Sequence, residues 1–295
     1  MIGAISPRFA GYGFSLTGRS HKARDTVCQD SHIFAPCAAG NWQLIAVADG
    51  LGSAPLSDLG AKTALEKLAS RCAYLPEDPD DEALLSCLKE GFAAAFAAVE
   101  EEAASAAEQS GEPVSPADFD CTLTACLYDG ERVFIGHVGD GGVIGMDEKG
   151  FDHLLTEVQK GDAWNEVVPL RVGVKEDLCV FRAAEQPMTA LLLVTDGLLD
   201  QIAPPILSKR EDPLYHGFLS RFLDHELDTD PEALTALLES DACKAISDDM
   251  TAAAVWLTGA KAEEPPADYL AEPDWEAIRA ELYNKLYPHL TKEEV

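Results

Sequence analysis

The chain predicts an α+β fold: two packed, mainly antiparallel β-sheets flanked by helices, an α/β/β/α sandwich. Short apolar runs bounded by turn residues recur from Tyr12 to Leu257, the pattern of many short strands. The runs between 119 and 156 follow one another through tight turns with no crossover helix between them, whereas parallel neighbours need crossovers of about a dozen residues or more. Two long helical segments arrive together between two groups of strands, as a helical layer lying on a sheet requires.

Taken in order, Tyr12 to Gly18 reads as a first strand, with Tyr12, Phe14 and Leu16 on one face. Arg19 to Asp30 is a polar loop. Ser31 to Ala35 and Trp42 to Ala48 read as two strands around a Gly-Asn turn. Asp58 to Leu75 is helical, with Leu59, Ala61, Leu65 and Leu68 near helical spacing. Asp81 to Ser110 is a long helix with the stripe Leu85, Leu88, Phe92, Phe96 and Val99, and Gly111 stops it. Phe119 to Leu127, Arg132 to Val138, Val143 to Met146 and Phe151 to Thr156 form an antiparallel meander, with Asp129-Gly130 and Glu148-Lys149-Gly150 as turns. Gln159 to Leu170 is polar and irregular. Val180 to Arg182 and Leu191 to Val194 add strands, Tyr215 to Glu226 and Pro231 to Ala245 read as helices, and Met250 to Leu257 closes the fold.

Composition narrows the class. The 295 residues carry 52 acids against 22 bases, a net charge of −30. No surplus of cations exists to neutralise phosphates, so nucleic acid and anionic membranes are excluded as partners. A handful of ligand carboxylates cannot account for the excess, so most acids are solvated. Eight cysteines are scattered without a Cys-x-x-Cys pair, so zinc-finger spacing is missing. Cys121, Cys126 and Cys179 lie in apolar runs as small buried hydrophobes. The first ten residues, with Pro7 and Arg8, do not read as a signal peptide, and no run nears the roughly 20 apolar residues of a spanning helix. The expectation is a cytoplasmic protein.

The functional signal is a recurring strand end. Leu44 to Gly52 reads Leu-Ile-Ala-Val-Ala-Asp-Gly-Leu-Gly: an apolar run that closes on Asp49 and Gly50. A carboxylate beside an exposed glycine carbonyl suits a hard divalent cation; taken alone, Asp-Gly also marks an ordinary turn. The pattern returns in Leu191 to Gly197, which ends on Asp196-Gly197, and reversed in Ser247-Asp248-Asp249, which leads into Met250 to Leu257. Asp30 precedes Ile33 to Ala35. Acidic strand ends scattered over most of the chain imply one site assembled from distant segments.

The ordered set Asp30, Val47-Ala-Asp49-Gly50, Cys121-Thr122-Leu123-Thr124, Val138-Gly-Asp140, Thr195-Asp196-Gly197-Leu-Leu-Asp200 and Ser247-Asp248-Asp249-Met-Thr251 resembles the metal-dependent protein phosphatase 2C (PPM-type) family, in its bacterial branch with a short flap. The resemblance spans about Gly11 to Leu257. It implies a catalytic domain over 5–259; the Pro- and Glu-rich stretch 261–268 and the helical pattern after Pro273 add a linker and C-terminal amphipathic helix over 260–295. It implies hydrolysis of phosphoserine and phosphothreonine by a water bridging two Mn²⁺ or Mg²⁺ ions. Asp49 then bridges both ions, Gly50 gives its carbonyl to one, Asp196 and Asp248 hold the other, and Asp30 acts directly or through a water. For the third, weaker ion often proposed in the family, Asp118 is the candidate, with Asp120 next. Asp140 and Asp200 read as a hairpin turn and a local cap, near the site without binding metal. Arg24 is the nearest candidate for binding the phosphate, a role in which Lys22 or Arg19 could substitute. The partners implied are a phosphorylated protein substrate and a cognate Ser/Thr kinase.

The chain departs from the family pattern at Leu51, where the family commonly has a histidine proposed as general acid; a metal-bound water, His21 or His32 would have to replace it. Gln29 stands for the usual Glu, and Asp249 for the usual Asn. These departures admit a second reading, a catalytically weak homologue that binds phosphoprotein or a partner. Three facing carboxylates favour the enzyme, since their repulsion is costly without cations. Beyond the resemblance, Trp275, Ile278, Leu282 and Leu286 form an apolar stripe near the C-terminus. An isolated short helix gains little from such a stripe in water, so it should dock, either on a partner or second copy or, the preferred reading, on the chain's own outer helices.

Overall fold

The computed structural model describes residues 5–159, 167–260 and 262–286. In chain order these form β1 (Phe9–Leu16), α1 (Arg19–Ala23), β2 (Ser31–Cys37), β3 (Trp42–Ala48), α2 (Ser57–Cys72), α3 (Asp81–Ser110), β4 (Leu123–Tyr128), β5 (Val133–Val138), β6 (Gly142–Met146), β7 (Asp152–Leu154), α4 (Leu170–Lys175), β8 (Val180–Ala183), β9 (Ala190–Val194), α5 (Asp196–Ile202), α6 (His216–Leu219), α7 (Pro231–Leu238), α8 (Asp241–Ala245), β10 (Met250–Leu257) and α9 (Trp275–Leu286). The strands make two five-stranded sheets, ordered β1-β10-β9-β6-β7 and β2-β3-β4-β5-β8. Every strand pairing in both is antiparallel. The predicted sandwich is the observed fold.

Three apolar layers hold it together. Phe34, Ile45, Val47 and Ile135 of one sheet meet Val143, Leu191, Leu193 and Val255 of the other. The far face of the β3 sheet packs on α2 and α3 through Leu65, Leu68, Leu88, Phe92 and Phe134. The far face of the β9 sheet packs on α5 to α8 through Leu192, Leu198, Phe218 and Phe222. Strands covered on both faces read as continuous apolar runs, which is why β3, β4 and β9 were legible as such. On α3 the buried stripe includes Leu84, Cys87 and Gly91 as well as the predicted Leu88, Phe92, Phe96 and Val99, whereas Leu85 is only half-buried. Asp80 caps its start, accepting from the Ala83 amide at 2.8 Å, and Gly111 ends it in the left-handed region, φ 71°.

The structure alters several expectations. The 119–156 meander is divided between the sheets: β4 and β5 lie in one, β6 and β7 in the other. The crossing is made at Gly139, whose φ of 111° excludes most side chains and where a Cβ would lie 2.5 Å from the Thr122 side chain. Residues 116–119 form a 3-10 turn, so β4 starts at Leu123. The polar 19–30 loop contains the one-turn helix α1. The 215–226 and 231–245 helices are each broken into shorter pieces, the second where Ser240 caps α8. Leu59 faces solvent, although its spacing placed it in the stripe of α2. The polar, irregular 159–170 stretch lies largely outside the described residues.

The C-terminal segment folds back onto the chain's own helices. The Tyr269 ring stacks at 3.9 Å on His216, and its hydroxyl accepts from the Asp152 amide at 2.8 Å. Trp275 meets Tyr215 edge-on, Ile278 is buried, and Arg210 pairs with Glu281 at 2.6 Å. The stripe docks only in part: Leu282 is exposed, and Tyr283 is largely so. Burying Tyr269, Trp275 and Ile278 is worth on the order of 3 kcal/mol. Deleting residues after Ala262 should therefore lower Tm by about 5–10 °C, read by calorimetry, and leave the oligomeric state unchanged. A parental Tm in the truncated chain would contradict self-docking.

Candidate active site

The site forms where strand ends of both sheets meet. β3 is fully buried and ends at Asp49, whose amide donates to Thr122 Oγ1 at 3.0 Å and whose carbonyl accepts from the Thr122 amide at 2.8 Å. Gly50 makes a single bridge to Cys121. This lattice sets Asp49 on a rigid ledge, which a free turn would not do. From the other sheet, β9 runs into Thr195 and Asp196 at the start of α5. Gly197 is required there because a Cβ would lie 2.1 Å from the Asp249 carbonyl oxygen. Asp140 enters from the crossing after β5. Asp49, Asp140 and Asp196 each offer an oxygen, and these three atoms lie within 4.8 Å of one another.

Asp140 in this group departs from the sequence reading, which placed it in a hairpin turn beside the site. The signal was available: Val138-Gly-Asp140, like Val-Ala-Asp49, is an apolar strand closing on an acid. Asp49, Gly50, Asp140, Asp196, Asp248, Arg24, His21 and Leu51 line a cavity of about 630 Å³. Asp248 faces this cavity and raises the Asp196 pKa, but its Oδ1 accepts from the Asp249 amide at 2.9 Å and it stands outside the compact trio. Asp30 is buried behind the trio and accepts from Thr195 Oγ1 at 2.7 Å.

Other assignments find different surroundings. The Asp118 carboxylate accepts from the Ser115 amide at 2.7 Å, capping the 116–119 turn, and is not among the described residues lining the cavity. Asp120 is held by Arg171 through two bonds of 2.8 and 2.6 Å. Neither acid is brought to the trio. Asp200 is exposed within α5. His32 does not reach the site: its Nδ1 sits 2.9 Å from Ser15 Oγ, facing a separate hollow beside Lys62 and Glu66. His21 does reach it, buried in the wall with Nδ1 2.8 Å from Asp249 Oδ1.

Asp249 is the supporting residue that sequence reasoning passed over. It is buried, and its two oxygens accept from the Gly18 amide at 2.8 Å and the Gln29 amide at 2.6 Å. It thereby ties the entry loop of α1 to the site. An Asn there would replace one acceptor oxygen with a donor amide. Gln29 donates to Ser57 Oγ at 2.7 Å and so binds the start of α2 to the same loop.

Burial and mutual repulsion dominate the electrostatics. Burial, then the charges of Asp140, Asp248 and Asp30, push Asp196 up to about 8. Burial pushes Asp30 up to about 7 against the lowering bond from Thr195. Asp49 is raised well above the ordinary carboxyl range by burial, then by Asp30 and Asp196. Such a cluster is the signature of a functional site and is relieved by cations.

The chain matches the family described as Protein phosphatase 2C over residues 17–239, more than half of its length. It belongs to the protein phosphatase 2C family. The family is one of protein phosphatases. Among solved structures it is similar to a bacterial serine phosphatase (TM-score 0.59, 16% identity, covering 85% of this chain and 98% of the other). It is also similar to the serine/threonine phosphatase Stp1 from Staphylococcus aureus (0.55, 16%, 88% and 97%). A third is the catalytic domain of the serine threonine protein phosphatase PstP in complex with two manganese ions (0.55, 19%, 84% and 98%). At these identities the likeness is one of fold. No curated protein sequence matches the chain. No helix among the described residues is long and apolar enough to cross a membrane.

The raised carboxyls give a pH signature. A carboxyl that holds its proton more tightly folded than unfolded stabilises the fold at low pH, and that contribution is lost as pH rises through the folded pKa. In chelator, Tm should fall between pH 4 and pH 8, the span from the ordinary value of 3.8 to the raised values of Asp30 and Asp196. Mn²⁺ or Mg²⁺ at pH 8 should restore it. A cation-independent Tm at pH 8 would contradict the reading of the cluster.

Proposed function

We propose that the chain hydrolyses phosphoserine and phosphothreonine in proteins, with divalent cations held by the trio. The observation that carries this is the convergence of Asp49, Asp140 and Asp196 from strand ends of both sheets into one open cavity. The donor set fits the group: all oxygens, with no thiolate or imidazole within it, as Mn²⁺ and Mg²⁺ prefer. Asp49, Asp140 and Asp196 would be the direct holders, with the Gly50 carbonyl, Asp248 and Asp30 completing the set for two ions. When bound, the ions supply charge neutralisation and an acidified water.

The chain's own residues do the rest. Thr195 fixes one Asp30 oxygen, and Thr122 fixes the backbone of Asp49, so the cluster is oriented before any cation arrives. Arg24, at the end of α1, lines the cavity with its Nε 3.2 Å from the Ser20 carbonyl, leaving its terminal nitrogens for a phosphate. Leu51 lines the same wall and cannot donate a proton. His21 lies in that wall, its Nδ1 beside Asp249, and can give one to the leaving serine alkoxide. The catalytically weak, phosphoprotein-binding alternative leaves the repulsion within the trio without a purpose. The substrate is a phosphorylated protein, which implies a Ser/Thr kinase that makes it.

Two measurements test this. Asp196→Asn should abolish Mn²⁺-stimulated hydrolysis of an aryl phosphate and remove the Mn²⁺-induced rise in Tm at pH 8, while the fold persists. Parental turnover at saturating Mn²⁺ would show that Asp196 holds no ion. His21→Gln should lower turnover of a phosphoserine peptide by about 10²-fold while sparing an aryl phosphate, whose leaving group needs no proton. Equal loss on both substrates would remove His21 from the role of general acid.

A further inference from the structure

Three thiols, Cys37 at the end of β2 with Cys72 and Cys87 of the helical layer, gather at the end of α2 remote from the cavity. Cys72 is the last residue of α2, and Cys87 lies in the second turn of α3. Their sulfurs are 3.5 Å apart. Cys72 is fully enclosed, but Cys87 forms part of the wall of a surface hollow of about 190 Å³ with Arg71, Ser86 and Glu90. Cys87 is buried but lines this hollow, beside a guanidinium that is itself paired with Glu90 and against a second thiol, so one wall residue has a resolving partner at hand.

We propose that Cys72 and Cys87 are a hydroperoxide-oxidised dithiol, a modification site whose disulfide fastens α2 to α3. The Cys87 thiolate attacks the peroxide: an S–O bond forms, the O–O bond breaks, and the leaving oxygen takes a proton. Cys72 then attacks the Cys87 sulfur. The S–S bond forms, the S–O bond breaks, and hydroxide departs with the Cys72 proton as water. Two thiols lose two electrons and two protons, and the peroxide is reduced to water.

Bond formation brings the sulfurs from 3.5 Å to about 2.05 Å, a movement of side chains between helices already in close contact. The Leu68 side chain, one turn before Cys72, already crowds Gly91, one turn after Cys87. The hydrogen bond with Cys72, together with Arg71, holds the Cys87 thiol below its ordinary value despite burial. Cys121 and Cys126 are fully buried and pushed up by that burial, so neither competes for oxidant. The disulfide closes a short loop around the turn between the helices and removes freedom from the unfolded chain. Its site is a full α2 length, about 24 Å, from Ser57 beside the catalytic loop. It therefore acts on stability and leaves turnover alone.

The test exposes the full chain to equimolar hydrogen peroxide, then alkylates remaining thiols and maps peptides without reductant. The expected product has two of the eight thiols lost, one crosslink joining Cys72 to Cys87, and a Tm raised and returned by dithiothreitol. In Cys72→Ser the crosslink should vanish and Cys87 should gain oxygen instead. The map of the parental chain decides alone if that variant fails to fold. Both thiols still free, a crosslink to Cys37, or an unchanged Tm after oxidation would each overturn the proposal.

Discussion

The repulsion among Asp49, Asp140, Asp196 and Asp30 is the term against which the rest of the molecule is arranged. Carboxylates at this spacing, Asp30 buried and the other three half-buried, oppose folding unless protonated or neutralised by cations. What keeps them together is the sandwich itself. The apolar runs of β3 and β9 are enclosed on both faces, and their hydrophobic burial holds the strand ends within one cavity. Hydrogen bonds then fix direction: Thr122 on Asp49, Thr195 on Asp30, and Asp249 on the loop that carries His21 and Arg24.

The same enclosure explains what the sequence made legible. Strands covered on both sides must be apolar throughout, so β3, β9 and β10 declared themselves, and each acid at their ends stood out against the run before it. Asp49, Asp196 and Asp248 were therefore visible as one scattered set. Asp140 read as a turn acid beside the site because Gly139 and Gly141 next to it are also turn residues. Only the partition of β5 and β6 into different sheets shows that this turn crosses the sandwich at the cavity. Asp118 is the converse case. Its position before the Cys121-Thr122 segment suggested a ligand, but spacing along the chain does not reveal that its carboxylate caps its own turn. The broken helices after Tyr215 follow from tertiary packing overriding a weak helical period.

The departures from the family pattern have physical partners in the fold. Gln29, lacking the charge of the usual Glu, donates to Ser57 and anchors α2, a bond a carboxylate could not donate. Asp249, carrying a charge where Asn is usual, accepts two backbone amides and stands beside His21. Leu51 is apolar in a wall that His21 also lines. The tail adds a further brace on the opposite sheet through Tyr269, His216 and Asp152.

The strand-end carboxylates, Asp140 among them, are proposed here as a cation centre. Anomalous diffraction from crystals soaked in Mn²⁺ addresses it directly. The account predicts density between Asp49, Asp140 and Asp196, with an Asp140 oxygen in the coordination shell. Manganese bound elsewhere while these three oxygens remain without an ion, or an occupied site that leaves Asp140 uncoordinated, would contradict it.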